Sequence, residues 1–140
     1  MIRALLTGRK NQTRRLSAGE ANCPFGAPGD RLWVRERWTH AGRSTYRYSA
    51  DHANDGTRFR PTFHMPRVAC RIVLRITSVE PQSLKSISTT DARDEGYDPS
   101  SCGLSPRRWF AELWDGIFKS PGKRWQDDPL VWVIRFEILS

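Results

Sequence analysis

The stretch Gly8-Arg9-Lys10-Asn11-Gln12-Thr13-Arg14-Arg15 decides how the rest of this sequence is understood. It follows a short apolar run, residues 2–6, whose spacing predicts a helix that ends at Gly8. An extended chain would point Lys10 and Thr13 to opposite faces, whereas a helical or turn-like bend would bring the amine and the hydroxyl together. The segment is therefore either a solvated basic turn or a threonine nucleophile beside the lysine that takes its proton.

Length and charge limit the classes of protein that fit. A chain of 140 residues is sufficient for one hydrophobic core, and we expect a single domain over 1–140. Its hydrophobic content of 38%, with six Trp and six Phe, excludes a disordered chain. Its 23 Lys and Arg residues against 15 Asp and Glu give a net charge of +8. A basic surface attracts phosphate and favours nucleic acid, nucleotide or RNA-derived ligands, but net charge does not choose among them.

The cysteines and histidines fall at no spacing typical of metal ligands. They are Cys23, Cys70, Cys102, His40, His52 and His64. We therefore expect no metal site and no cofactor, and three free thiols indicate a reducing compartment. No apolar run approaches the roughly 18 residues of a membrane span, and no signal-like segment is present. The sequence predicts a cytoplasmic monomer that does not associate with membranes.

Residue patterns predict the elements of secondary structure. Alternation and β-branched content predict strands over 31–38, 45–49, 68–79 and 130–138, with Pro81 stopping the third of them and a turn over 54–56. Helices are predicted over 86–96 and 106–118. In the second of these, Phe110, Trp114 and Phe118 recur at helical spacing and are expected in the core rather than on a base-stacking surface.

Two carboxylates stand where local structure disfavours them. Glu36 lies on the otherwise inward face of the 31–38 strand, where it either pairs with an arginine or contacts a ligand. Glu95 falls on the last residue of the 86–96 helix, where the negative end of the helix dipole opposes an anion. Such placement is a hint of function.

The opening stretch resembles the signature of the ASCH domain (activating signal cointegrator homology), Gly-x-Lys-x-x-(Glu/Thr)-x-Arg. Its four places are filled by Gly8, Lys10, Thr13 and Arg15. Later blocks, residues 23–38, 64–67 and 131–136, are similar to prophage-type members of that family. The resemblance implies an α+β fold built on a small PUA-like β-barrel with two or three short helices.

One branch of that family resembles amidohydrolases that remove the acyl group from N4-acylcytidines such as N4-acetylcytidine. The resemblance implies Thr13 as nucleophile, Lys10 as neutral base and Glu95 as acid, with Asp94 as the alternative acid. Nearby arginines, Arg9, Arg14 and Arg15, are expected to lower the pKa of the lysine. Arg15 is expected to support the site or bind an anion, and Glu36 to contact the substrate. The implied substrate is a modified nucleoside, and no metal is required.

A binding function is the alternative. PUA-like barrels often bind RNA or DNA, and some are suspected metal-dependent ribonucleases. Arginines interleave with aromatic residues at Tyr46 and over 58–67, a pattern that suits single-stranded nucleic acid. The same pattern also arises when aromatic rings pack under arginine stems.

Overall fold

Three helices and six strands make up the regular structure in the computed structural model, which describes residues 1–52, 55–100 and 103–139. The helices are α1 (Ile2–Leu6), α2 (Thr89–Asp94) and α3 (Pro106–Ile117). The strands are β1 (Gln12–Leu16), β2 (Arg31–Trp33), β3 (Trp38–Gly42), β4 (Thr45–Tyr48), β5 (Val73–Ser83) and β6 (Leu130–Ile138). Two residues of earlier interest, Asn54 in the predicted turn and Cys102, lie outside the described part.

A curled four-stranded antiparallel sheet in the order β1-β6-β5-β2 positions the other elements, and β3 and β4 form a separate hairpin. Strand β6 lies inside the sheet because residues 131–134 are buried on both faces, as the continuous apolar run at 130–134 predicts. The predicted α+β class with a few short helices is confirmed, and the predicted small barrel takes the form of a curled half-barrel sheet.

The two faces of β6 pack against different partners. Val131 and Val133 pack with residues of α2 and α3, including Phe110 and Trp114, so the aromatic stripe of α3 is core as predicted. On the other face, Phe136 packs with Leu5 of α1 and with apolar residues of β5. Helices therefore cover one face, and α1 closes part of the other.

Two predicted strands differ from the observed ones. The 31–38 strand is interrupted: β2 ends at Trp33, and the chain turns away so that the backbone N–H of Glu36 donates to the sulfur of Met65 at 3.4 Å. Strand β5 begins at Val73 rather than 68, and Pro81 does not stop it. Proline is tolerated there because β2 pairs only with residues 73–75, so the position of the missing N–H faces no partner strand.

The other elements agree more closely. Helix α1, helix α3 and strand β6 match the predicted ranges to within one residue. The 86–96 helix is shorter, beginning at Thr89 with Ser88 as its cap: the Ser88 hydroxyl accepts from the N–H of Asp91 at 3.0 Å. Strand β1 was not predicted, because four of its five residues are polar.

Candidate functional site

Backbone contacts bring Lys10 and Glu95 side by side. Beyond Gly8, which has φ of +75°, the N–H of Lys10 donates to the carbonyl of Ala4 at 2.9 Å, and Lys10 and Glu95 form an isolated antiparallel bridge. Gly96 makes this approach feasible. A Cβ there would lie 3.0 Å from the Cβ of Ala4, and its φ of +110° disfavours other residues.

Lys10 and Glu95 form a buried ion pair, since their side chains are 6% and 4% exposed. The Lys10 Nζ donates to Glu95 Oε2 at 2.8 Å, to the Glu95 carbonyl at 3.2 Å and to the Gln12 carbonyl at 2.8 Å. Three acceptors match the three N–H groups of an ammonium. The carboxylate of Glu95, directly after the last residue of α2, therefore faces the lysine of the opening stretch.

Burial lowers the pKa of the Lys10 amine, because an ammonium loses hydration in the interior. The charge and hydrogen bond of Glu95 act the other way and raise it, while Arg15 and Arg14 lower it further. The net shift is downward, toward the neutral amine that a base must be. Of the arginines expected to contribute, Arg9 instead pairs with Asp98 at 3.4 Å.

A polar network that includes Arg14 supports Glu95 from the side of α2. Arg14 is buried, and its guanidinium donates to Glu95 Oε1 at 3.3 Å, to Asp91 Oδ2 at 3.3 Å and to Gln12 Oε1 at 2.6 Å. Although burial acts to raise the pKa of Asp91, the Gln12 hydrogen bond and the charge of Arg14 hold it below its usual value. Gln12 also donates to Asp94 Oδ2 at 3.4 Å, so the carboxylate of Asp94 contacts this network. Of the two neighbouring carboxylates, it is that of Glu95 that accepts from Lys10.

Sequence reasoning missed Gln12 and Arg14 as parts of the site. The alternation of side chains along a strand could have identified them, because alternate residues point to the same face. In β1, Gln12 pairs with Arg135 and Arg14 with Val133, on the face that packs against α2 and α3. Thr13 pairs with Ile134, on the opposite face. Recognising β1 as a strand would have separated these two sets.

Thr13 and Arg15 line two cavities that meet at Lys10. The larger, of about 480 Å³, is otherwise walled mostly by apolar residues of α1, β2, β5 and β6. The smaller, of about 130 Å³, is also lined by Arg14, Glu95 and residues of α3. Among the described residues no hydrogen bond engages the Thr13 hydroxyl, and none joins it to Lys10. The predicted nucleophile and base thus line the same cavities, and in the described chain no hydrogen bond joins them.

Glu36 lies elsewhere. It lines neither cavity, and its buried carboxylate accepts two hydrogen bonds from Arg71, at 2.9 and 2.8 Å. Arg71 also pairs with Asp51 at 2.7 Å. The arginine pairing considered as the alternative for Glu36 is the contact that the structure shows.

Two further searches concern metals and membranes. Over 1–52, 55–100 and 103–139, no three His, Cys, Asp or Glu side chains come close enough to hold a metal ion together. None of the helices in this described part combines the length and apolar character needed to cross a bilayer.

Comparison with known proteins was made by sequence and by structure. No family model and no curated protein sequence matches the chain. The fold is similar to the crystal structure of protein EF3133 from Enterococcus faecalis, described by family model DUF984, with a TM-score of 0.54 at 15% identity, covering 98% of this chain and 68% of that one. An ASCH domain structure from Lactobacillus crispatus aligns with a TM-score of 0.47 at 18% identity, over 97% of this chain and 68% of that one. The likeness to EF3133 shows the fold alone, and the chemistry has to be argued from the site.

Proposed function

We propose that this protein is an ASCH-type amidohydrolase that cleaves N4-acylcytidines, such as N4-acetylcytidine, into cytidine and a carboxylate. The observation that carries the proposal is the buried contact of 2.8 Å between Lys10 Nζ and Glu95 Oε2, beside cavities that Thr13 also lines. Its chemistry is supplied by protein side chains, and the proposed reaction uses no metal or cofactor.

In the first half-reaction, Thr13 Oγ attacks the acyl carbonyl carbon and its proton passes to the neutral amine of Lys10. The bond between the carbonyl carbon and N4 then breaks, and N4 takes a proton from Glu95 as cytidine leaves. In the second half-reaction, water attacks the carbonyl carbon of the acyl-threonine ester and gives one proton to the carboxylate of Glu95. The ester bond breaks, and Thr13 Oγ takes a proton from the ammonium of Lys10. The released carboxylic acid then loses its proton to solvent.

The Lys10–Glu95 pair suits both tasks. Transfer of one proton from Lys10 to Glu95 turns the ion pair into a free amine and a carboxylic acid, the two forms that the first half-reaction needs. This transfer leaves the net charge of the buried cluster unchanged, which matters because an uncompensated buried charge is costly. Since Lys10 contacts three oxygens in the structure, one of those contacts must be exchanged for the Thr13 hydroxyl when substrate binds.

The direct test is incubation with N4-acetylcytidine, followed by chromatography for cytidine. We expect turnover by the natural chain and none above background by Thr13→Val, which keeps the shape of the side chain and removes the hydroxyl. Arg9→Gln, at an exposed position that lines neither cavity, is the matched control. Absence of cytidine with the natural chain, or equal rates in Thr13→Val, would refute the proposal.

Binding of single-stranded nucleic acid is a second candidate, favoured by stacked arginine–tryptophan pairs. Arg35 and Arg67 lie over the ring of Trp33 at 4.8 and 5.5 Å, and Arg60 lies over Trp38 at 5.3 Å. Phosphate contacts release counterions, so affinity for such a strand should fall steeply with salt. Hydrolysis of a neutral nucleoside should change little. Tight, salt-sensitive RNA binding without turnover of N4-acetylcytidine would favour this second function.

A further inference from the structure

The two cavities at the Lys10–Thr13 pair differ in size and share one wall. Met1, Lys10, Thr13 and Arg15 line both of them. A substrate whose reacting carbonyl lies at this shared wall would extend one part into each cavity. The question is which part of an N4-acylcytidine enters which cavity.

The smaller cavity is polar at one end and apolar at the other. Its polar end is formed by Lys10, Arg14 and Glu95. Its apolar end is formed by side chains of α3 and of the residue that follows it, namely Phe110, Leu113, Trp114, Ile117 and Phe118. An acyl group has the same polarity, a carbonyl followed by hydrocarbon. The carbonyl would lie at the polar end near Thr13, with the chain along α3.

We propose, on the basis of the amidohydrolase function above, that the smaller cavity is an acyl-binding subsite and that the larger cavity holds the nucleoside. A volume of about 130 Å³ corresponds to about four water molecules at ~30 Å³ each. An acetyl group leaves most of this space unfilled. The subsite therefore favours linear acyl groups with about three to five carbons beyond the carbonyl, from butanoyl to hexanoyl.

The reverse placement, with cytosine in the smaller cavity, is less favourable. A cavity of about 130 Å³, which corresponds to about four water molecules at ~30 Å³ each, is too small for cytosine together with the ribose that it carries. The larger cavity, of about 480 Å³, falls in the size range of ligand pockets. Trp33 forms part of its wall, and Arg15 and Arg35 are among its polar groups.

The expected effect follows from burial of hydrocarbon. Each methylene moved from water into an apolar site favours binding up to about fourfold, so butanoyl should exceed acetyl by up to about fifteenfold. The gain should stop near hexanoyl and reverse for decanoyl, which exceeds the volume. Leu113 is the residue to change, because it lines the subsite and is only partly buried.

The experiment measures kcat/KM for four N4-acylcytidines, which carry an acetyl, butanoyl, hexanoyl or decanoyl group. Leu113→Trp should fill the subsite and lower the ratio of hexanoyl to acetyl activity by at least about tenfold. Glu112→Trp is the matched control, because it places the same bulk at an exposed position of α3 that lines neither cavity. Calorimetric titration of the same compounds into Thr13→Val measures their affinity for the protein in the absence of the reaction.

The outcomes separate the subsite from the reaction. A preference for butanoyl or hexanoyl in turnover and in affinity, lost in Leu113→Trp and kept in Glu112→Trp, supports the subsite. A preference for acetyl, or no effect of Leu113→Trp, overturns the subsite and leaves the function standing. Chain-length-dependent affinity with no turnover overturns the function and supports the subsite. Absence of both binding and turnover overturns both.

Discussion

Replacing Glu95 with glutamine removes one negative charge from a buried cluster that contains Lys10 and Arg14. The carboxylate accepts from Lys10 at 2.8 Å and from Arg14 at 3.3 Å, so both cations lose their shared partner. Breaking a buried ion pair from one side costs roughly 3–5 kcal/mol. In a chain of this size Tm should fall on the order of 10 °C. Glutamine retains one acceptor oxygen, and Lys10 can lose its proton, so we expect the loss of stability to lie in the lower part of the range of roughly 3–5 kcal/mol.

The effect on rate should be larger than the effect on stability. Loss of the proton donor should lower kcat for N4-acetylcytidine by about 10²–10⁴ when it is assayed well below the Tm of the variant. Asp94→Asn is the matched control, because its carboxylate contacts only Gln12, at 3.4 Å. It should stay within ~0.5 kcal/mol of the natural chain and keep its rate. An active Glu95→Gln beside an inactive Asp94→Asn would move the acid to the neighbouring residue and refute the reasoning.

Four other changes test separate parts of the site. Lys10→Arg keeps the positive charge, but arginine cannot act as a base, so this variant should be about as inactive as Lys10→Ala in the cytidine assay. Substantial activity in Lys10→Arg would mean that Lys10 acts only as a fixed cation. The proposed reaction needs the Lys10–Glu95 pair to hold one proton, so kcat/KM should fall as pH rises through the pKa of Lys10. Because burial lowers that pKa, the fall should lie below the usual ~10.4, and a fall only at the usual value would contradict the neutral-base role. Gly96→Ala should lower the free energy of unfolding in urea by about 1–3 kcal/mol, because the added Cβ would lie 3.0 Å from that of Ala4 at φ of +110°. Gly19→Ala is the control, with φ of +86° and no atom within 4 Å of an added Cβ, and it should lose less. Equal losses in the two variants would show that the close approach to Ala4 does not matter. Turnover should survive exhaustive treatment with EDTA, whereas loss that a divalent ion restores would favour a metal-dependent nuclease.

The local pattern of apolar residues was sufficient to predict those helices and strands whose residues follow a single helical or strand pattern throughout. Strand β6 is continuously apolar, and α3 repeats its aromatic residues at helical spacing, so both were predicted to within a residue. Strand β1 was missed because its polar residues resemble a loop. The passage of β5 through Pro81 was missed because tolerance of proline depends on which strands pair, and that is decided by the whole sheet.

The sequence could predict which residues belong to the candidate site, but not which of them contact one another. The resemblance supplied Lys10, Thr13 and Glu95, and the structure brings Lys10 and Glu95 into contact across 85 positions of sequence. No spacing rule reveals such a contact, because it depends on how α1, β1 and α2 meet. Glu36 shows the opposite case: its place on an inward face left arginine pairing and ligand contact both open, and nothing local could show that Arg71 is the partner.

Arg14 gives the buried cluster a property that the motif residues alone lack. If Lys10 were the only cation beside Glu95, loss of its proton to solvent would leave a buried carboxylate without a counterion, which is strongly unfavourable. Arg14 remains protonated under all ordinary conditions and keeps its contact of 3.3 Å with Glu95, while Asp91 on its other side prevents an excess of positive charge. The proposed reaction moves the proton of Lys10 to Glu95 rather than to solvent, and the contact with Arg14 fixes the position of the Glu95 side chain while that proton is exchanged.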